Sequence, residues 1–249
     1  MLNKDYCICI RAVDFSETSQ VVTFFARQTG KVTALAKGAK RKHSPFGGPF
    51  EVFSCGNVTF SDSGPDKLAA LVEFEPVSAV IDTSVLARDI FILNSCLFAV
   101  ELVNILTTDY DPHPALFEGF LKFLHDVTMQ EKSRNTVLTH LVLFQLCLLK
   151  EIGLSPVLDH CVNCKIPLST RWQEAYFSNT AKGLICRDCQ GTFPDRIKLA
   201  VKTINCLANA ESLVSAGNSE IKRIEEVLID YINDMRGYPL KMAKYIISS

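Results

Sequence analysis

"QVVTFFARQTGKVTALAKGAKRK", Gln20–Lys42, decides how the first third of this chain folds. Its two runs, Gln20–Arg27 and Lys31–Lys37, are rich in Val, Phe and Thr, and "TGK" between them supplies a tight turn. β-Branched and aromatic residues suit a pleated, half-buried surface, and Gly reverses the chain cheaply. The same signal continues on both sides, in Tyr6–Val13, Phe50–Phe60 and Lys67–Glu75, with "PFGGP" and "SDSGPD" as turns. "KLAALVEFE" fits a helix by pattern, but its Phe and Val content favours a strand. Five short strands with Gly/Pro turns predict a small barrel that closes its own edges. An OB-fold is the five-stranded candidate and an SH3-like barrel the alternative.

The quoted stretch also concentrates charge. The chain of 249 residues is nearly neutral, with 26 Lys+Arg against 27 Asp+Glu. Thr18–Phe50 nevertheless holds six cations (Arg27, Lys31, Lys37, Lys40, Arg41 and Lys42) and no acid, which leaves 20 basic against 27 acidic residues elsewhere. A cationic patch on an acidic body is the footprint of an anionic partner, because it concentrates that partner locally. A solvated turn would explain a short Lys/Arg run, but 33 residues without one acid point to binding.

Beyond about Ser78 the hydrophobic period changes from two to nearly four. Ser84–Leu106, His113–Gln130 and Asn135–Gly153 read as helices. "DPHP" and "GLSP" supply a break with a Pro near a helix start and a Gly-Pro stop. Ile197–Val214 and Ser219–Met235 are amphipathic, with Ser219 as the expected N-cap, and the "PLKMAKYIIS" segment predicts a short last helix. Val137–Lys150 is the most apolar window, too short to span a bilayer and interrupted by His140 and Gln145, so a buried core helix is expected. The opening "MLNKDYCICIRAV" lacks a basic segment followed by an apolar one, so no secretory leader and a cytoplasmic setting are expected.

Between the helical runs lie two Cys-x-x-Cys pairs, Cys161/Cys164 and Cys186/Cys189. Each pair sets two thiolates on one tight turn, and two such turns make a tetrahedral sulfur cage suited to Zn²⁺. The 21 residues between the pairs slightly exceed the usual ribbon spacing. Four sulfurs leave no position for an activated water, so a structural ion is expected. His160 is a possible substitute ligand that four cysteines make unnecessary. Cys7, Cys9, Cys55, Cys96, Cys147 and Cys206 are scattered and read as core thiols.

No catalytic constellation emerges. "AKGAKRK" lacks the spacing of a phosphate-binding loop, and there is no Gly-x-Ser-x-Gly elbow. Asp109, Asp111 and His113 beside a Pro read as turn chemistry. Glu225, Glu226, Asp230 and Asp234 read as a solvated helix face. The expected class is therefore α+β and non-enzymatic: a small barrel over 1–78, OB-fold by first choice and SH3-like by the alternative, a helical domain over 79–249, and a zinc insertion at 158–192. A zinc-ribbon RNA-binding protein of transcription or translation is the alternative. A DNA-processing enzyme is the weaker rival, since carboxylates do not cluster.

The stretch "ETSQVVTFFARQTGKVTALAKGAKRKHSPFGGPFEVF" resembles the N-terminal signature of the RecO family of bacterial recombination mediators. Glu17, Gly30, Lys31, Lys37, Gly38, Lys40, Arg41 and Ser44 occupy matching positions. Ala26 stands where the family usually has Thr, and Met242 in "GYPLKMAKYI" stands where Ser is usual. The four cysteines match zinc-bearing members. The resemblance implies an OB domain, a helical domain and a zinc module. It also implies binding of single- and double-stranded DNA, strand annealing, partnership with RecR, and docking of the C-terminal tail of single-strand binding protein so that RecA can load. Arg27, Lys31, Lys37, Lys40, Arg41 and Lys42 are the expected phosphate contacts, with Phe46 and Phe50 expected to pack the barrel end rather than stack bases. No membrane and no small-molecule substrate are expected. A cytoplasmic, nucleoid-associated location follows.

Overall fold

A computed structural model describes residues 2–61, 68–77, 80–129, 132–169 and 172–247. The "SDSGPD" turn after Ser61, Lys67 and the expected boundary at 78/79 lie outside the described residues.

Five strands form one closed barrel: β1 (Leu2–Asp14), β2 (Gln20–Ala26), β3 (Gly30–Ala36), β4 (Cys55–Ser61) and β5 (Ala69–Pro76). Their order is β1-β2-β3-β5-β4, with β3 and β5 parallel and the other neighbours antiparallel, so the barrel is OB-like. β1 serves two neighbours, pairing through Leu2–Ile8 with β4 and through Cys7–Asp14 with β2, and a bulge between Cys9 and Arg11 turns it around the barrel. Alternation sends Val32, Ala34 and Ala36 inward with Val22, Phe24, Val58, Phe60 and Phe74. Residues 50–54, expected to open β4, form turns instead, and Phe53 takes a left-handed φ of 77°.

The chain divides into two compact units, one of residues 1–88 and 100–129, the other of 89–99 and 130–249. In the first, α1 (Thr83–Arg88), the end of α2 (Ile90–Leu106) and α3 (Pro114–Thr128) accompany the barrel. Pro114 takes the first helical position of α3, as the Pro signal indicates. From α3, Phe117 packs edge-on against Tyr6 (5.9 Å) and tilted against Phe25 (5.9 Å), and Phe120 reaches Phe25 at 6.3 Å. This covers the outer face of β1 and β2.

The β2–β3 turn is fastened from the same side. Gly30 has a φ of +79°, and a Cβ there would lie 2.2 Å from the Asp111 carbonyl oxygen, so only Gly fits. Asp5 ties the turn from inside, its Oδ2 accepting the N–H groups of Gln28 (2.9 Å) and Thr29 (2.8 Å). Lys31 Nζ donates to the carbonyls of Asn104 and Thr107, both at 2.8 Å, and lies 3.2 Å from Asp109. A cation thus sits on the open carbonyls at the C-terminal end of α2, where the helix dipole is negative.

In the second unit, α4 (Arg134–Glu151) packs on α7 (Asn218–Arg236). Ser133 caps α4 by accepting the Thr136 N–H at 3.2 Å, and Gly153 ends it at a φ of +74°. Between the helices, the buried Glu225 carboxyl meets Gln145 Nε2 at 2.7 Å. Burial pushes the Glu225 carboxyl up to about 8, so it is held largely neutral at pH 7. It is part of the core, a correction to its reading as solvated face: charge type alone does not reveal which side of a helix packs.

A three-stranded sheet, β7-β6-β8, is built from β6 (Ala175–Ser178), β7 (Gly183–Cys186) and β8 (Ile197–Leu199). Phe177 of β6 meets Tyr231 of α7 edge-on at 5.7 Å, and the Tyr231 hydroxyl donates to the Leu154 carbonyl at 3.0 Å. α5 (Val201–Ala208), α6 (Ala210–Val214) and α8 (Ala243–Ile247) complete the unit.

Three helix expectations are corrected. Ser84–Leu106 is interrupted at Asp89, whose carboxylate accepts the N–H groups of Phe91 (2.8 Å) and Ile92 (3.1 Å) and starts α2 afresh. Ile197–Val214 opens with β8, and at Asn209 the side chain accepts the Glu211 N–H at 2.9 Å and opens α6. α7 is capped at Gly217 rather than Ser219, which lies in its first turn and donates to Glu220 at 3.1 Å.

Lys31→Met leaves two helix-end carbonyls without their cation. The unfolding free energy falls by about 2–3 kcal/mol in urea denaturation, against under ~0.5 kcal/mol for Lys42→Met.

Candidate functional site

The chain leaving β3 makes an irregular loop, 37–54, stapled at both ends. At its start Gly38, with a φ of +79°, donates its N–H to Ser19 Oγ (3.2 Å), and Lys40 N–H donates to the Thr18 carbonyl (3.0 Å). Ala39 is wholly buried in the barrel core. Further along, Gln20 grips Phe50 twice: its Oε1 accepts the Phe50 N–H at 2.8 Å and its Nε2 donates to the Phe50 carbonyl at 3.3 Å. Phe50 packs edge-on against Phe24 (5.5 Å) and Phe74 (4.9 Å), with Phe46 beside it at 5.6 Å. Both rings plug the barrel end. Small and aromatic residues therefore go inward, while Lys37, Lys40, Arg41, Lys42 and His43 are exposed.

The six expected phosphate contacts separate into two groups. Arg27 lies between the Tyr6 and Phe117 rings (5.2 and 5.3 Å) and pairs with Glu118 at 2.7 Å. Lys31 caps α2, and its side chain is only 13% exposed. The remaining four share the stapled loop. The Lys40 ammonium pairs with Asp14 and holds that carboxyl below the usual carboxylate range. Arg41 lies across Gly38, where a Cβ would come within 3.3 Å of its Cδ. Among the described residues, Lys37, Arg41 and Lys42 have no ion-pair partner. Gln20, Ser19 and Asp14, which hold this loop in shape, gave no sign in the sequence. Their partners lie 19 to 30 positions away.

The second constellation is the cysteine cluster. The sulfurs of Cys161, Cys164, Cys186 and Cys189 lie within 4.8 Å of one another, and those of Cys164 and Cys186 are 3.7 Å apart. The first knuckle closes when Lys165, at a φ of 63°, donates its N–H to the Cys161 carbonyl (2.9 Å) and Cys161 N–H donates to the Ile166 carbonyl (2.9 Å). The second continues from β7 into a 3₁₀ turn at Arg187–Thr192. The Cys186 N–H points at Cys161 Sγ (3.4 Å) and Asn163 Nδ2 at Cys189 Sγ (3.3 Å). Burial alone would raise the Cys161 thiol, but N–H groups of Cys164, Cys186 and Asn163 favour its thiolate and bring it down to about 7. Such a group of thiols is able to hold a metal ion. Among the described residues it is the one cluster of three or more potential ligands.

Asp109 and Asp111 behave as turn residues. Asp109 faces Lys31, and Asp111 meets His113 at 3.2 Å ahead of α3. Of the other six cysteines, all but the half-buried Cys147 are buried. No described helix is long and apolar enough to cross a membrane.

The chain that builds this OB-like barrel, stapled cationic loop and four-cysteine cluster matches the two family models of recombination protein O. The N-terminal model covers residues 1–80 and the C-terminal model residues 87–241. The chain belongs to the RecO family. It is 28% identical over 253 residues to the DNA repair protein RecO of Bacillus subtilis (strain 168), spanning 99% of this chain and 94% of that one. To the protein of the same name in Syntrophus aciditrophicus (strain SB) it is 32% identical over 207 residues, with 80% and 74% covered. For the Anaeromyxobacter sp. (strain K) protein the figures are 31% over 201 residues, with 80% and 75% covered.

Gln20→Leu strands the N–H and carbonyl of a buried residue. Unfolding free energy drops by about 2–3 kcal/mol, and limited trypsin digestion cuts the 37–42 segment sooner than in the unaltered protein.

Proposed function

We propose that this chain is a DNA-binding recombination mediator. It holds single- and double-stranded DNA on the barrel loop, anneals complementary strands, and helps load RecA onto DNA coated with single-strand binding protein during repair. One observation carries this reading: in an acid-free stretch, Lys37, Lys40, Arg41 and Lys42 are turned outward together on a loop stapled at both ends. Membership of a family whose relatives are named DNA repair proteins supports it. These four are the phosphate contacts. Arg27 and Lys31, at the other end of β3, are engaged by Glu118 and the end of α2.

The work is electrostatic. Cations on the loop displace the counterions of a strand and screen it from its complement, so bases find their partners without any covalent step. Residues 1–78 act as the DNA-binding domain and 79–249 as the helical domain. RecR and the C-terminal tail of single-strand binding protein are the protein partners, in the cytoplasm at the nucleoid.

Within the module at 158–192, Cys161, Cys164, Cys186 and Cys189 hold a structural Zn²⁺. A tetrahedron with Zn–S bonds of about 2.3 Å separates its sulfurs by about 3.8 Å, and the Cys164–Cys186 separation of 3.7 Å fits. The ion, when bound, supplies cross-linking of two knuckles and no Lewis acidity, because the sulfurs complete its coordination.

With four phosphates neutralised, the log–log salt dependence of single-strand affinity has a slope of about −2.8, and replacing Lys40, Arg41 and Lys42 by Ala flattens it to about −0.7. Affinity falls alike for all sequences. An unchanged slope removes the loop from the mechanism, and stronger binding of RNA in competition favours the RNA-binding reading instead.

Cys161→Ser with Cys189→Ser abolishes bound zinc by atomic absorption and costs several kcal/mol of stability, yet keeps the salt slope of the unaltered protein.

A further inference from the structure

We propose that Phe15 is a base-stacking residue that grips single strands on the cationic loop; this rests on the reading of that loop as a phosphate-binding surface. All sixteen phenylalanines are described, and Phe15 alone is exposed, at 63%. A single exposed apolar residue is ordinary in itself. Its setting is not.

Phe15 stands on the β1–β2 turn, which is built to be rigid. The N–H groups of Phe15 and Ser16 both donate to the Ser19 carbonyl (2.9 and 3.2 Å), and Ser16 Oγ accepts the Ser19 N–H at 3.2 Å. That turn is knitted to the cationic loop by three bonds, one from the residue before Phe15 and two from residues after it. Asp14 pairs with Lys40, the Thr18 carbonyl accepts the Lys40 N–H, and Ser19 Oγ accepts the Gly38 N–H. The ring and the Lys37–Lys42 cations therefore ride on one small platform. Phe15 follows directly on Asp14, so its Cα is about 3.8 Å from that of the residue paired with Lys40.

An exposed aromatic ring on the same rigid platform as a group of cations suits an unpaired strand: phosphates go to the charges and a base covers the ring, whatever its identity. Bases of an intact duplex are already stacked on each other and have no free face. Phe15 thus gives the surface a preference for single strands that its cations alone do not.

The test uses the full chain with Phe15→Ala, Phe15→Leu and Phe15→Tyr. Each is titrated at fixed salt with a single-stranded oligonucleotide, its duplex, and a strand of equal phosphate count with abasic sites. Ala and Leu are expected to weaken single-strand binding roughly 5- to 100-fold, leave the salt slope unchanged, and not alter duplex or abasic affinity, while Tyr binds as Phe does. Single-strand affinity unchanged in Phe15→Ala, full affinity in Phe15→Leu, or an equal loss on the abasic strand overturns the proposal. If the unaltered protein binds no DNA, or the Lys40, Arg41 and Lys42 replacements change nothing, the functional reading fails too. A normal loss on those replacements with none on Phe15→Ala overturns the stacking role alone.

Discussion

The Lys31 ammonium, held by the Asn104 and Thr107 carbonyls, is the contact that fastens the β2–β3 end of the barrel to the end of α2, and the rest of that unit depends on it. It answers two electrostatic needs together: a helix end with unpaired acceptors, and a cation beside apolar strands that needs partners to be buried. Next to it Gly30 lets the backbone of Asp111 come close enough for the Tyr110 N–H to reach the Lys31 carbonyl at 3.0 Å. β3 is thereby fixed in position, and with it the point from which the 37–54 loop departs.

The acid-free stretch thus serves two purposes, and geometry sorts them. Arg27 and Lys31 flank the β2–β3 turn, under the 100–129 segment, and find counter-charges or carbonyls there. Lys37 onward lies at the opposite end of β3, where the loop offers Lys37, Arg41 and Lys42 to solvent while Lys40 is paired with Asp14. Stapling through Ser19, Thr18 and Gln20 means that the charges are arranged before any partner arrives, so less ordering is needed on binding.

What was legible in the sequence is what local spacing encodes. Alternation in Lys31–Lys37 and the Gly30 turn gave the hairpin, helical periodicity gave α3, α4 and α7, and two Cys-x-x-Cys pairs gave the thiol cluster. Breaks set by a single side chain were hidden. The apolar period runs through Asp89 and Asn209, yet each turns its own oxygen onto the following N–H groups and restarts the helix. Pairings across long separations were equally hidden: nothing beside Lys31 announces Asn104, and nothing beside Gln145 announces Glu225. A cation's type says that it needs an anion or an acceptor. Only the fold says whether that partner is internal.

The aromatic cover over β1 and β2 has a consequence for how the chain is made. Tyr6 and Phe25 are shielded by Phe117 and Phe120, which the ribosome adds some ninety residues later. At translation rates of about 5–20 residues per second, the nascent strands wait roughly 5–20 s with that flank bare. Through that interval the half-made protein displays an oily flank that the finished one conceals.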